Sequence, residues 1–94
     1  MNEQVETFVA AIKENAAKVW DQPDDGKFID QLLYIKKLGD GSISISDNFE
    51  RFFPTIYRVD VSGNWYIRDM YSDEPEREYS FTKAMGDASI MYTG

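Results

Sequence analysis

The most regular alternation of apolar and polar positions lies in Thr55–Tyr71, TIYRVDVSGNWYIRDMY. Thr55, Tyr57, Val59 and Val61 alternate with Ile56, Arg58 and Asp60, and Trp65, Ile67, Asp69 and Tyr71 alternate with Tyr66, Arg68 and Met70. A period of two in β-branched and aromatic residues predicts strands, and Ser62-Gly63-Asn64 between them predicts the turn of a hairpin. Two registers satisfy the pattern. A Gly63-Asn64 loop sets Arg58 opposite Asp69, and a three-residue Ser62–Asn64 loop sets Val59 opposite Ile67, so one pairs charges and the other apolar residues.

The N-terminal segment has a different period. Val5, Phe8, Val9, Ile12, Ala16, Val19 and Trp20 recur at the i, i+3, i+4, i+7 spacing of one helical face, which predicts a helix over Glu3–Trp20. Asn2 is its expected cap, and Glu3 and Glu6 put negative charge at the positive end of the helix dipole. Asp21–Gly26, DQPDDG, is a turn by composition. Lys27–Leu38, KFIDQLLYIKKL, has two readings. As a helix it has Asp25 as cap, Lys36 and Lys37 in the last turn and Gly39 as a left-handed stop. As a strand it forms a hairpin through Gly39-Asp40-Gly41 into Ser42–Ser46. A two-residue Asp40-Gly41 turn would set Lys36 opposite Ile45 and turn Leu33 and Ile35 away, so the helix is the expectation, with a bulged hairpin as the alternative.

Ser42–Ser46, SISIS, alternates as a short strand with Ile43 and Ile45 inward. Asp47–Phe53, DNFERFF, reads as a capped single turn that brings Phe49, Phe52 and Phe53 to one end of the core, and Pro54 starts the next strand. After the central hairpin, Ser72–Glu78, SDEPERE, reads as an acidic loop. Ser80 caps a last helix, Phe81–Tyr92, with Phe81, Ala84, Met85, Ala88, Met91 and Tyr92 on one face and a weakening Gly86 within it. Together these elements predict a single α+β domain over residues 1–94. Its two layers are an antiparallel sheet of three to four strands and the N-terminal and C-terminal helices.

Composition narrows what such a domain can do. At 94 residues core area is limiting, and six Phe, six Tyr and two Trp supply much of it. There is no cysteine and no histidine. Ser/His/Asp and Cys/His nucleophilic machinery and the usual zinc sites are thereby excluded. Neither Asp24-Asp25-Gly26 nor Asp73–Glu78 has the ligand spacing of a calcium loop, and Gly39-Asp40-Gly41 lacks the lysine of a phosphate loop. The expectation is a protein that is not an enzyme and uses no cofactor or metal. No apolar run approaches a membrane span and no secretory leader is visible, so the sequence predicts a cytoplasmic protein without membrane contact.

Seventeen acids against ten bases leave a formal charge of −7, and Lys36-Lys37 is the only adjacent basic pair. That balance argues against direct nucleic-acid binding and for a basic protein partner. The candidate contacts are the acids of the two Pro-containing loops, Asp24, Asp25, Asp73, Glu74, Glu76 and Glu78. Trp65 and Tyr66 join them, since tyrosine and tryptophan dominate interface hot spots and a two-layer fold covers only one face of its sheet. In size, acidity and lack of cysteine the chain resembles in type the anti-restriction and anti-CRISPR proteins that phages encode, a likeness of kind that rests on no shared motif. It implies an inhibitor that occupies the nucleic-acid groove of a DNA- or RNA-handling protein. The other reading is a small-ligand-binding or homodimeric accessory domain that uses the aromatic face of the sheet.

Overall fold

The computed structural model describes residues 2–19, 31–48 and 54–91. Helix α1 spans Glu3–Val19. Asn2 caps it as expected: its Oδ1 accepts the Gln4 amide at 2.7 Å and its carbonyl accepts from Glu6. Val5, Phe8, Ile12 and Ala16 are fully buried, so the helical stripe is the core face. Five strands follow: β1 (Leu33–Lys37), β2 (Ile43–Asp47), β3 (Thr55–Val59), β4 (Trp65–Asp69) and β5 (Arg77–Tyr79). Helix α2 (Phe81–Ile90) closes the fold, with Ser80 Oγ accepting the Lys83 amide as its N-cap. The strands lie in sequence order in one antiparallel sheet, so every sheet connection is local.

The architecture is the expected α+β one, with three corrections. The helix expected over Lys27–Leu38 is overturned where the chain is described: Leu33–Lys37 is strand β1. A ladder to β2 outweighs the helical signals, and its loop has the geometry that makes the pairing favourable. Leu38 N–H donates to the Ser42 carbonyl and Gly41 N–H to the Leu38 carbonyl, with Gly41 at φ +89°. This is a three-residue loop, a turn followed by a left-handed bulge residue. It sets Ile35 opposite Ile45 where a two-residue turn would have set Lys36.

The central hairpin uses the same loop, which overturns both expected registers. Asp60 N–H donates to the Asn64 carbonyl, Gly63 N–H donates to the Asp60 carbonyl, and Gly63 has φ +88°. The loop therefore starts at Asp60, whose Oδ1 also accepts the Ser62 and Asn64 amides at 2.9 Å. Val59 pairs with Trp65, Arg58 with Tyr66 and Tyr57 with Ile67. Val61, expected in the strand, sits at the loop tip 76% exposed. The third correction is the strand count. Arg77–Tyr79, read as loop and helix approach, pairs with β4 as a fifth strand and carries Glu78 opposite Tyr66.

Alternation sorts the sheet into two faces. Ile45, Tyr57, Val59, Trp65 and Ile67 are buried on the face that the helices cover. Phe8 packs edge-on against Tyr57 at 4.9 Å and Trp65 at 5.1 Å, and Phe81 lies 5.4 Å from Trp65 between ring centroids. Ala84 and Ala88 are fully buried, small enough to let α2 approach α1, and Asn15 Nδ2 caps the end of α2 at the Met91 carbonyl. Asp87 fastens α2 to the sheet: its Oδ2 accepts the hydroxyls of Tyr57 at 2.8 Å and Tyr79 at 2.7 Å. The Asp21–Gly26 turn, the first part of the 27–38 segment, the Phe49, Phe52 and Phe53 plug, Trp20 and Tyr92 lie outside the described residues.

Candidate interaction surface

Both helices bind the Tyr57–Trp65 face, and no described helix or strand lies on the other. The pairing registers line up that second face in transverse rows. Lys36, Ser44, Arg58, Tyr66 and Glu78 form one row from edge to edge. Tyr34 pairs with Ser46 and Ile56 with Arg68 in the next, and Tyr34 is 52% exposed. The face is therefore polarised, with Lys36 at the β1 edge and Glu78 at the β5 edge.

Arg58 is the centre of this surface. Its guanidinium lies 4.3 Å from the centroid of the Tyr66 ring, its cross-strand neighbour. Nε donates to both oxygens of Glu76 at 3.0 Å, Nη2 donates to Oε1 at 2.5 Å, and Nη1 donates to Ser42 Oγ at 2.9 Å. The hydrogen bonds from Arg58 hold the Glu76 carboxyl below its ordinary range, with a smaller contribution from the charge of Arg58. The Arg58 guanidinium is raised in return, first by its hydrogen bond to Glu76. Tyr66 passes the network on: its hydroxyl donates to Asp60 Oδ2 at 3.3 Å. Desolvation and then the Asp60 charge push the Tyr66 phenol up, while the Asn64 amide leads the causes that lower Asp60. The loop that registers the hairpin is thus tied to the open face of the sheet.

The acids expected to meet a partner fall into three groups. Asp24 and Asp25 lie outside the described residues. Glu76 is committed to Arg58, where it pins residues 72–76 across the sheet. Asp73, Glu74 and Glu78 are exposed, and no described base holds them. Glu78 is not in a loop, as the composition of SDEPERE suggested, but in β5 at the end of the Arg58 row.

The two aromatic candidates separate by face. Tyr66 is half-buried on the open side. Trp65 is 3% exposed beneath α1 and α2, and its Nε1–H donates to Gln4 Oε1 at 3.0 Å. Residues that sequence reasoning did not single out, Arg58, Arg68 and Tyr34, share the open face. Parity along the strands was the signal that could have found them. The register, which the pattern left open, decides which faces of neighbouring strands coincide.

Among the described residues no helix is long and apolar enough to cross a membrane, and no group of three or more His, Cys, Asp or Glu is placed to hold a metal ion. In comparisons with known proteins, no family model, no curated protein and no solved structure matches the chain.

Proposed function

We propose that this chain is a non-enzymatic binding protein whose contact surface is the open face of the sheet along its β5 side, and that its partner is a basic protein. The observation that supports this reading is the polarised face. One side of a five-stranded sheet carries tyrosines and arginines, the residue types of interface hot spots, and ends in the exposed carboxylates of Asp73, Glu74 and Glu78, which no described base holds. Charges that no described base neutralises project into solvent, where they steer a cationic partner and raise its rate of encounter. In its sharper form the partner handles nucleic acid and the acids stand in for phosphates, which makes the chain an inhibitor of the phage-encoded kind. A formal charge of −7 permits partial mimicry of this sort.

The test is a reversal of these three exposed acids, Asp73→Lys, Glu74→Lys and Glu78→Lys together, with Glu76 left in place because it holds Arg58. Exposed charges away from caps and cores change stability by less than about 0.5 kcal/mol each, so the fold is retained. Partner capture from cell extract at low salt, followed by association kinetics with the purified partner, gives the readout. The variant should associate more slowly, and the difference should shrink as salt rises. Capture at low salt that the reversal leaves undiminished would remove this edge from the interface.

A further inference from the structure

Among the described residues the sheet edge at β1 has no strand beside it, and it is a second surface, separate from the one just described. Four of the five residues of β1 are exposed, and β1 is the outer strand of the sheet. Its hydrogen-bonding direction follows from the bonds that flank it. Leu38 N–H donates to the Ser42 carbonyl at one end and Asn48 N–H donates to the Leu32 carbonyl at the other. Antiparallel pairing alternates, so Tyr34 and Lys36 bond to β2, while the N–H and C=O groups of Leu33, Ile35 and Lys37 point away from the sheet. That edge is a template for another strand.

We propose that the occupant is a second copy of this chain, its β1 paired antiparallel about a two-fold axis at Ile35. The strand is self-complementary in that register. Ile35 lies opposite Ile35 of the second copy, and Leu33 lies opposite Lys37 in both directions. All three outward-facing residues then find partners, and none is left over. Side chains fit the same register. Ile35 is 39% exposed, and in the dimer it meets its own counterpart as an apolar cross-strand pair. On the other face each Tyr34, 52% exposed, lies directly opposite Lys36 of the second copy, a phenol ring against an ammonium.

Charge decides between registers. Lysine at an edge ordinarily deters pairing because the same side chain arrives from the partner. Moving the axis one step to Lys36 sets Lys36 against Lys36, and two steps sets Lys37 against Lys37. Moving it the other way leaves Lys37 with no strand opposite. Only the axis at Ile35 meets no like charge and pairs every outward group.

The apolar surface behind the edge adds to the fit. A cleft of 510 Å³ opens beside β1 on the helix-covered face, with Ile35, Ile43, Val59 and Val61 among its walls and the Lys37 stem at its side. The register brings Leu33 of the second copy opposite Lys37, at the mouth of that cleft. A five-residue strand is about 17 Å long, which makes a contact well short of a standard-size interface. The dimer is therefore weak and concentration-dependent.

Sedimentation equilibrium over a concentration series, with backbone amide exchange read on the same samples, tests the proposal. The mass should rise from 10.9 kDa toward twice that value with concentration, at low and high salt alike. Over the same series the amides of Leu33, Ile35 and Lys37 should become protected, while those of Tyr34 and Lys36 stay protected throughout by β2. Ile35→Lys sets two ammonium groups opposite each other and should weaken association by about tenfold, with the circular dichroism of the monomer unchanged. A mass that stays at 10.9 kDa to the limit of solubility would overturn the proposal. So would a dimer in which the three outward amides exchange as freely as in the monomer, or one that Ile35→Lys leaves undiminished. Because this surface lies at the opposite edge from Asp73, Glu74 and Glu78, either proposal can fail without the other.

Discussion

Alanine substitutions at Gly39, Gly41 and Gly63 separate backbone conformation from packing in the two hairpin loops. Gly63 has φ +88°, and a Cβ added there meets nothing closer than Asn2 Nδ2 at 3.8 Å, an ordinary contact. Gly63→Ala therefore measures the left-handed backbone alone, at roughly 1–2 kcal/mol. Gly41 has φ +89°, and its added Cβ would lie 2.7 Å from Val61 Cγ1 in the neighbouring loop. Val61 is 76% exposed and can turn aside, at a cost on the order of 0.5–1.5 kcal/mol for a displaced rotamer. Gly41→Ala should thus lose more than Gly63→Ala by up to that amount, and the excess should vanish in a Val61→Ala background. Gly39 has no such backbone conformation and nothing within 4 Å of its added Cβ. Gly39→Ala should be neutral, or stabilising by about 0.4–1 kcal/mol through the unfolded chain. Urea denaturation followed by tryptophan fluorescence and circular dichroism resolves these differences as midpoint shifts of up to about 1–2 M. A Gly39→Ala loss as large as that of Gly63→Ala would refute the reasoning, since Gly39 would then be the left-handed end of a helix.

The core and the helix fastening give two further tests. Phe8 is fully buried between Tyr57 and Trp65, so Phe8→Ala should cost about 3–5 kcal/mol and lower Tm by about 15–30 °C in a domain of this size; an unchanged Tm in calorimetry would mean that the face of α1 is misassigned. Tyr79 is pushed up to about 12, first by burial and then by its hydrogen bond to Asp87, and Tyr57 is raised by the same two causes. A raised phenol keeps its proton in the folded state when the unfolded chain has released it. The stability it contributes is complete below the ordinary tyrosine pKa of 10.0 and is lost as pH climbs through about 12. Alkaline unfolding should therefore set in within that window. Asp87→Asn keeps an acceptor oxygen but removes the charge, so tyrosinate absorbance should develop at lower pH; superimposable titrations of the two proteins would contradict the fastening role of Asp87.

How much of this was legible in the sequence depends on the range of the interaction that decided each element. The helical stripe from Val5 to Ala16, the Asn2 and Ser80 caps and the strand alternation around Tyr57 and Trp65 are set by neighbours within one or two turns of chain. Those came through correctly, and with them the α+β class. Absence of histidine and cysteine likewise limits the available chemistry before any fold is known.

Tertiary structure decided what depends on pairing. The sequence of Lys27–Leu38 carries helical signals at both ends, yet Leu33–Lys37 within it is a strand because β2 offers a ladder and Gly41 can take the left-handed bulge that aligns Ile35 with Ile45. Gly63 makes the same choice in the second hairpin and moves both expected registers. A shift of one residue exchanges the faces of a strand, so the register alone determines which side chains share a surface. Only with it fixed do Arg58, Tyr66 and Glu78 fall into one row, Glu76 become a ligand of Arg58 instead of a free contact, and Trp65 go beneath the helices while its neighbour Tyr66 stays on the open side. Composition determined that this chain would be acidic and rich in aromatic rings. Where those groups meet was a matter of long-range hydrogen bonds, for which the linear pattern carries only a weak preference.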